Sequence, residues 1–347
     1  MENSTAWQLF ANRTEFEAIV FSVSGSCALL SLLLTFFLIY RHLKHYYEPQ
    51  AQKPIIRILL MVPIYSVVSF LAILLSPYAL YFNLVRDCYE AYALYQFLCL
   101  LTHYYDSEGG AFTYELIDLG GDGGSSIGGQ MRQEFVRSRF PFPLCCFHYT
   151  PGNTLLTWIR RFALQYVFFK LLLSFVAIIL ALTGLYHAGS FDLRYGFFWI
   201  SLLLNLSAII AFYVILIFYG LIARTISAHE PLLKFLSIKV LIFFCFWQTL
   251  AIGALYYFDI LPAFFGWTKE QSADVIQNVL ICGEMVGIAI LNFWAFSYRT
   301  YRTEPGVHTL HNLGKNIATD ILNPLDLVRE TKEAFTPLPD KENDHRS

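Results

Sequence analysis

Charge is scarce in this chain. Asp, Glu, Lys and Arg make up 14% of the 347 residues, against 56% hydrophobic and 17% aromatic, which is too apolar for an ordinary soluble domain. Catalytic signatures are missing as well. The nine histidines form no HExxH pattern, the seven cysteines make no CxxC pair and no GxSxG elbow occurs, which argues against an intramembrane hydrolase or a metal enzyme. No catalytic residue, metal ligand or cofactor is expected. The net charge of −2 says nothing about partners, and no nucleic-acid partner is expected. A polar head, residues 1–17, lacks a basic n-region, so the apolar run after it reads as an uncleaved anchor. Only Cys88 falls near the exterior, which leaves no exterior disulfide pair. That absence, together with the lack of DRY after the third span and of NPxxY in the seventh, speaks against a receptor coupled to a G protein.

What the chain does have is long apolar runs. A bilayer core about 30 Å thick needs roughly 20 apolar residues in a helix. Seven such spans are read near 18–40, 57–82, 88–105, 162–187, 194–222, 236–262 and 275–298. The expected fold is an all-α membrane protein of seven transmembrane helices. Basic residues collect on one side, with Arg41, Lys44, Lys53 and Arg57 in the first loop and Arg160 and Arg161 before the fourth span. Arg13, Arg86, Arg194 and Lys269 fall on the other. Because basic residues stay cytoplasmic during insertion, the amino terminus is placed outside or lumenal and the carboxyl terminus in the cytoplasm. Two sequons, at Asn3 and Asn12, then lie where glycosylation occurs.

Three segments divide the chain: the exterior head 1–17, a membrane domain 18–302 and a cytoplasmic tail 303–347. The long cytoplasmic loop 106–161 contains LGGDGGSSIGGQ, read as a flexible segment because no Lys-Ser/Thr pair follows the glycines as a phosphate-binding loop requires. In the tail, Asn323 and Pro324 suit a helix start, and a short amphipathic helix is expected at about 323–335. Leu325, Val328, Phe335 and Leu338 are its candidate partner-binding residues. Phe335-Thr336-Pro337-Leu338 has the aromatic-x-x-aliphatic spacing that ubiquitin-like autophagy proteins bind as an added strand, although Pro337 lacks a backbone donor.

Polar side chains inside a bilayer are costly and usually face the bundle interior or a water-filled path. Asn205, Gln248 and Glu284 fall near half depth in the fifth, sixth and seventh spans and are candidates to line a solute path. Lys170 in the fourth span is a further candidate, with snorkelling to the inner surface as the alternative. Arg86, Asp87 and Glu90 read as a solvated or structural cluster at the exterior end of the third span. Cys145 and Cys146, in FPFPLCCF ahead of Arg160 and Arg161, are candidates for S-acylation that would pin the loop to the inner leaflet.

Several strings occur in an informative order: KPIIRILLMVPIYSVVSF (53–70), RDCYEAYALYQFL (86–98), FPLCC (142–146), LQYVFFK (164–170), KFLSIKVLIFFCFWQ (234–248), and ICGEM (281–285) with AFSY (295–298). Over about residues 18–302 the chain resembles the organic solute transporter alpha / transmembrane protein 184 family, also described as lazarus-one-like or domain-of-unknown-function 300. The resemblance implies a seven-helix fold with the amino terminus outside, and a transport role inherited from the animal bile-acid and steroid branch. That branch works with a single-span subunit and carries acylated loop cysteines, which Cys145 and Cys146 match. Fungal and plant relatives are associated with vacuolar membranes, autophagy and membrane integrity. This chain departs from the family pattern after Leu119-Gly120-Gly121, where GGSSIGG is inserted, and at Leu291-Asn292-Phe293-Trp294, which replaces a histidine-containing stretch.

The expected function is movement of an amphipathic organic solute, sterol-like or lipid-like, across a vacuolar or endosomal membrane, with the plasma membrane as the other location. Membrane lipids, a single-span subunit or a second copy are the expected partners. The alternative is a vacuolar scaffold that recruits a ubiquitin-like autophagy protein through its tail.

Overall fold

The computed structural model describes residues 3–107, 138–139, 148–149, 153–186, 193–222 and 267–301, with short stretches between 233 and 260. Among the described residues the fold is all-α apart from a two-residue antiparallel pair, β1 (Ser138–Arg139) and β2 (His148–Tyr149), with Ser138 opposite Tyr149. Among the described residues, five helices are long and apolar enough to cross a membrane, at Glu15–Lys44, Pro49–Leu74, Leu156–Leu182, Gly196–Gly220 and Gln271–Ala295. The tail, Cys145 and Cys146 lie outside the described residues, as does most of the sixth expected span.

Helix α1 runs Asn3–Lys44, about 60 Å at 1.5 Å per residue. It passes through the segment expected as an exterior head, and both sequon asparagines, Asn3 and Asn12, lie within it. Its last turn carries Arg41, His42 and Lys44, which complement the negative end of the helix dipole. The second expected span is two helices, α2 (Pro49–Leu59) and α3 (Met61–Leu74). Pro63 has no N–H to offer the Leu59 carbonyl four residues back, so the hydrogen-bond ladder is interrupted beside Leu60. The Tyr89 hydroxyl donates to the neighbouring Arg57 carbonyl at 2.6 Å.

Pro77 corrects a second boundary. It sits in a 3-10 turn, Ser76–Tyr78, and the chain reverses there. The next helix, α4, begins at Ala79 and runs to Ser107, some nine residues earlier than the sequence reading placed it. Arg86, Asp87 and Glu90 therefore lie inside α4 and not at its exterior end. Arg86, counted above among exterior loop cations, is buried.

Helix α5 (Asn153–Leu182) ends in a Schellman motif, with Gly184 at φ 72°, its N–H on Ala181 O and the Leu185 N–H on Leu180 O. Helix α6 (Gly196–Ile222) starts directly against that turn. A Cβ on Gly196 would come within 2.4 Å of Leu180 Cδ1, so the missing side chain permits the close approach. Helix α7 (Lys269–Ala295) opens on a capping box in which Thr268 Oγ1 accepts from the Gln271 N–H and the Gln271 side chain accepts from the Thr268 N–H.

The packing is α7 against α1 and α3, α4 against α2, α3 and α5, and α5 against α6. The largest core cluster draws on all of them and buries Tyr65, Phe97, Phe218 and Phe296 fully. Outward faces of α1, α5 and α6 expose large apolar side chains such as Leu33, Phe168 and Leu206, as expected of surfaces solvated by lipid. At one end a polar knot ties four elements together. His42 Nε2 meets Phe296 O at 2.9 Å, His103 Nε2 meets Glu48 Oε1 at 2.8 Å, and the Tyr104 and Tyr301 hydroxyls lie 3.0 Å apart. Burial pushes the Tyr301 phenol up to about 12, so it stays neutral in that pair.

Candidate functional site: a buried charge cluster beside an apolar crevice

Four charged side chains meet between α3, α4, α5 and α7. Lys170 Nζ donates to Asp87 Oδ2 at 3.2 Å, and Arg86 Nε lies 3.7 Å from Asp87 Oδ1. Arg86 Nη1 also donates to Asn278 Oδ1 at 3.2 Å and to Ser69 Oγ at 3.5 Å. Glu90 Oε2 accepts from the Tyr65 hydroxyl at 3.1 Å. Two acids and two bases balance, which is the condition under which charges persist away from water. Arg86 and Lys170 are only 7% and 9% exposed. By helical rise Asp87 lies roughly 12 Å in from the Ala79 end of α4, so the cluster is set into the fold.

Lys170 does not snorkel. Its helix begins at Asn153, nine residues before the expected span, so the ammonium is further from that end than the sequence implied. It is held by α4 instead. The acidic partners were visible in the sequence as RDCYE, but the misplaced start of α4 assigned them to a surface. The turn signal Ser76-Pro77-Tyr78 was the feature that located it.

Beside the cluster lies a crevice of about 790 Å³, open on one side. Helices α1 and α5 lean on α3 and α4 from opposite flanks and make little contact with each other, which leaves the trough between them. Phe36 comes from α1, Pro63 and Val67 from α3, Tyr89 and Tyr92 from α4 and Leu171 from α5. Its walls are almost wholly apolar. Cys88 also faces it, and the Cys88 thiol donates to Ser174 Oγ at 3.4 Å, closing the wall between crevice and charges. A space of this size and lining accommodates the apolar body of a small organic molecule.

The half-depth layer expected across three spans is a pair. Gln248 Nε2 donates to Glu284 Oε1. Asn205 is exposed on the outer face of α6 and donates to the Ser201 carbonyl one turn back at 2.8 Å. It does not join the other two. Among the described residues no group of three or more His, Cys, Asp or Glu side chains is placed to hold a metal ion.

A family model described as organic solute transporter Ostalpha matches residues 20–301. The chain belongs to the organic solute transporter alpha family. It is 33% identical over 300 residues to a transmembrane protein 184 homolog of Dictyostelium discoideum, a match that covers 84% of this chain and 55% of that protein. The chain thus spans about half the length of the curated relative it matches. No solved structure matches the chain. Membership agrees with the ordered strings that carried the resemblance and with a multi-pass membrane protein of a transporter-like family, a description that is not of an enzyme family.

Proposed function

We propose that this protein moves an amphipathic organic solute, sterol-like or lipid-like, across a vacuolar or endosomal membrane, with its amino terminus lumenal and its carboxyl terminus cytoplasmic. The observation that carries the reading is the open apolar crevice between α1, α3, α4 and α5, which backs onto a neutral cluster of buried charges. The solute's apolar body enters from the lipid side and lies along Phe36, Val67 and Leu171. The polar end stays toward the rim, because the crevice walls offer it few partners. In this reading the solute runs down its own gradient. A single-span subunit or a second copy of the chain would cover part of the exposed outer faces.

Filling the crevice tests this. Full-length protein in proteoliposomes is assayed for transfer of a fluorescent sterol, with Val67→Trp and Leu171→Trp as the perturbations. Both side chains line the crevice, and Leu171 is half exposed, so the larger ring fills space without breaking the core. Transfer should fall at least tenfold while elution as a single species is kept. Parent-like transfer by both variants would remove the crevice from the path.

A further inference from the structure

The Gln248–Glu284 pair has a donor shortage that specifies its protonation state. Gln248 Nε2 donates to Glu284 Oε1, and the remaining oxygens, Gln248 Oε1 and Glu284 Oε2, are both buried and both without a hydrogen-bond partner. An ionised carboxylate has only acceptors, and an amide oxygen is an acceptor too. With Glu284 ionised, one residue pair would bury two bare acceptors. Each would cost the full desolvation of an unsatisfied polar atom. One proton removes the conflict, because it turns Glu284 Oε2 into a donor in a pair whose amide oxygen lacks one.

Exchanging the amide's oxygen and nitrogen gives the same answer. The contact with Glu284 Oε1 would then be oxygen to oxygen, and only a proton between them makes it a hydrogen bond. Among the described residues the packed neighbours bring no free counter-charge to the pair. Helix α7 packs against α1 and α3; near Glu284 in sequence lies Cys282, which packs with Cys27, and α3 carries Tyr65. Tyr65 is committed to Glu90, and the Cys282 thiol faces the Ser66 carbonyl at 4.0 Å. The two cations of the neighbouring cluster are taken up by Asp87, Asn278 and Ser69.

We propose that Glu284 is a proton-binding site: it is held as a neutral carboxylic acid that donates to and accepts from the Gln248 side chain, joining α7 to the stretch around residue 248. This stands apart from solute movement and holds whether or not the crevice is a path. The acid–amide pair removes a charge from the middle of the bilayer and stores a proton there. The proton becomes exchangeable when Gln248 and Glu284 separate.

Infrared difference spectroscopy on full-length protein in lipid at neutral pH reads this directly. Subtracting Glu284→Gln from the parent should show loss of one neutral-carboxyl carbonyl band that shifts in deuterium oxide, with the carboxylate bands unchanged. Loss of carboxylate bands instead, as an ionised or cation-bound Glu284 would give, overturns the proposal. Gln248→Ala is the second variant and does not depend on the first one folding. It should move the same carbonyl band to higher frequency, because the amide partner is gone. A carboxyl region identical to the parent's in Gln248→Ala overturns the proposal equally.

Discussion

Replacing Lys170 by Met keeps the length of the side chain and removes its charge, leaving Asp87 with Arg86 at 3.7 Å as its remaining cation. Breaking a buried pair by deleting one partner costs about 3–5 kcal/mol. Asp87 keeps 35% of its side chain exposed, so water recovers part of that loss. We expect about 2–3 kcal/mol for Lys170→Met, after discounting for solvent screening. The double variant Lys170→Met with Asp87→Asn restores electrical balance, with Arg86 and Glu90 left as one cation and one anion, and should lie within about 1 kcal/mol of the parent. The double variant should then be at least about 1 kcal/mol more stable than Lys170→Met alone, roughly fivefold in the folding equilibrium. Reversible unfolding in mixed detergent micelles measures all four proteins. If Lys170→Met costs under about 0.5 kcal/mol, or if the two substitutions simply add, Lys170 is a snorkelling side chain and the cluster is no structural unit.

Two further outcomes follow from single contacts. Tyr65→Phe removes the hydroxyl that donates to Glu90 Oε2, and the unsatisfied carboxylate should cost about 1–3 kcal/mol in the same unfolding assay. Gly184→Ala meets no neighbouring atom within 4 Å but must hold φ 72°, so it should cost about 1 kcal/mol through the backbone alone. A Gly184→Asn variant, better suited to that region, should recover part of the loss in the same measurement.

The apolar runs were legible because bilayer solvation acts on each residue locally. A stretch such as 196–220 is hydrophobic on every side, and no neighbour is needed to say that it is a helix bounded by lipid. The ordered strings that carried the family were legible for the same kind of reason, as they are linear. Boundaries were less so. A hydropathy window runs smoothly across Leu60 and Pro77, whereas the helix ladder breaks where one proline lacks an N–H. Moving the start of α4 to Ala79 turned Arg86, Asp87 and Glu90 from a surface cluster into a buried one.

The candidate site divides in the same way. Composition alone marked Gln248 and Glu284 as costly polar groups within spans, and the structure brings them into one hydrogen bond. It leaves Asn205 outside, because a helix wheel does not say which face meets a neighbour until the neighbours are placed. Lys170 and Asp87 are more than eighty residues apart, and the crevice is a gap between two helices, α1 and α5, that make little contact. By itself, the sequence determined that this chain lives in a membrane and which family it resembles. Only the tertiary structure decided which buried charges neutralise one another and where an apolar space remains, since both depend on how helices distant in the chain come to lie side by side.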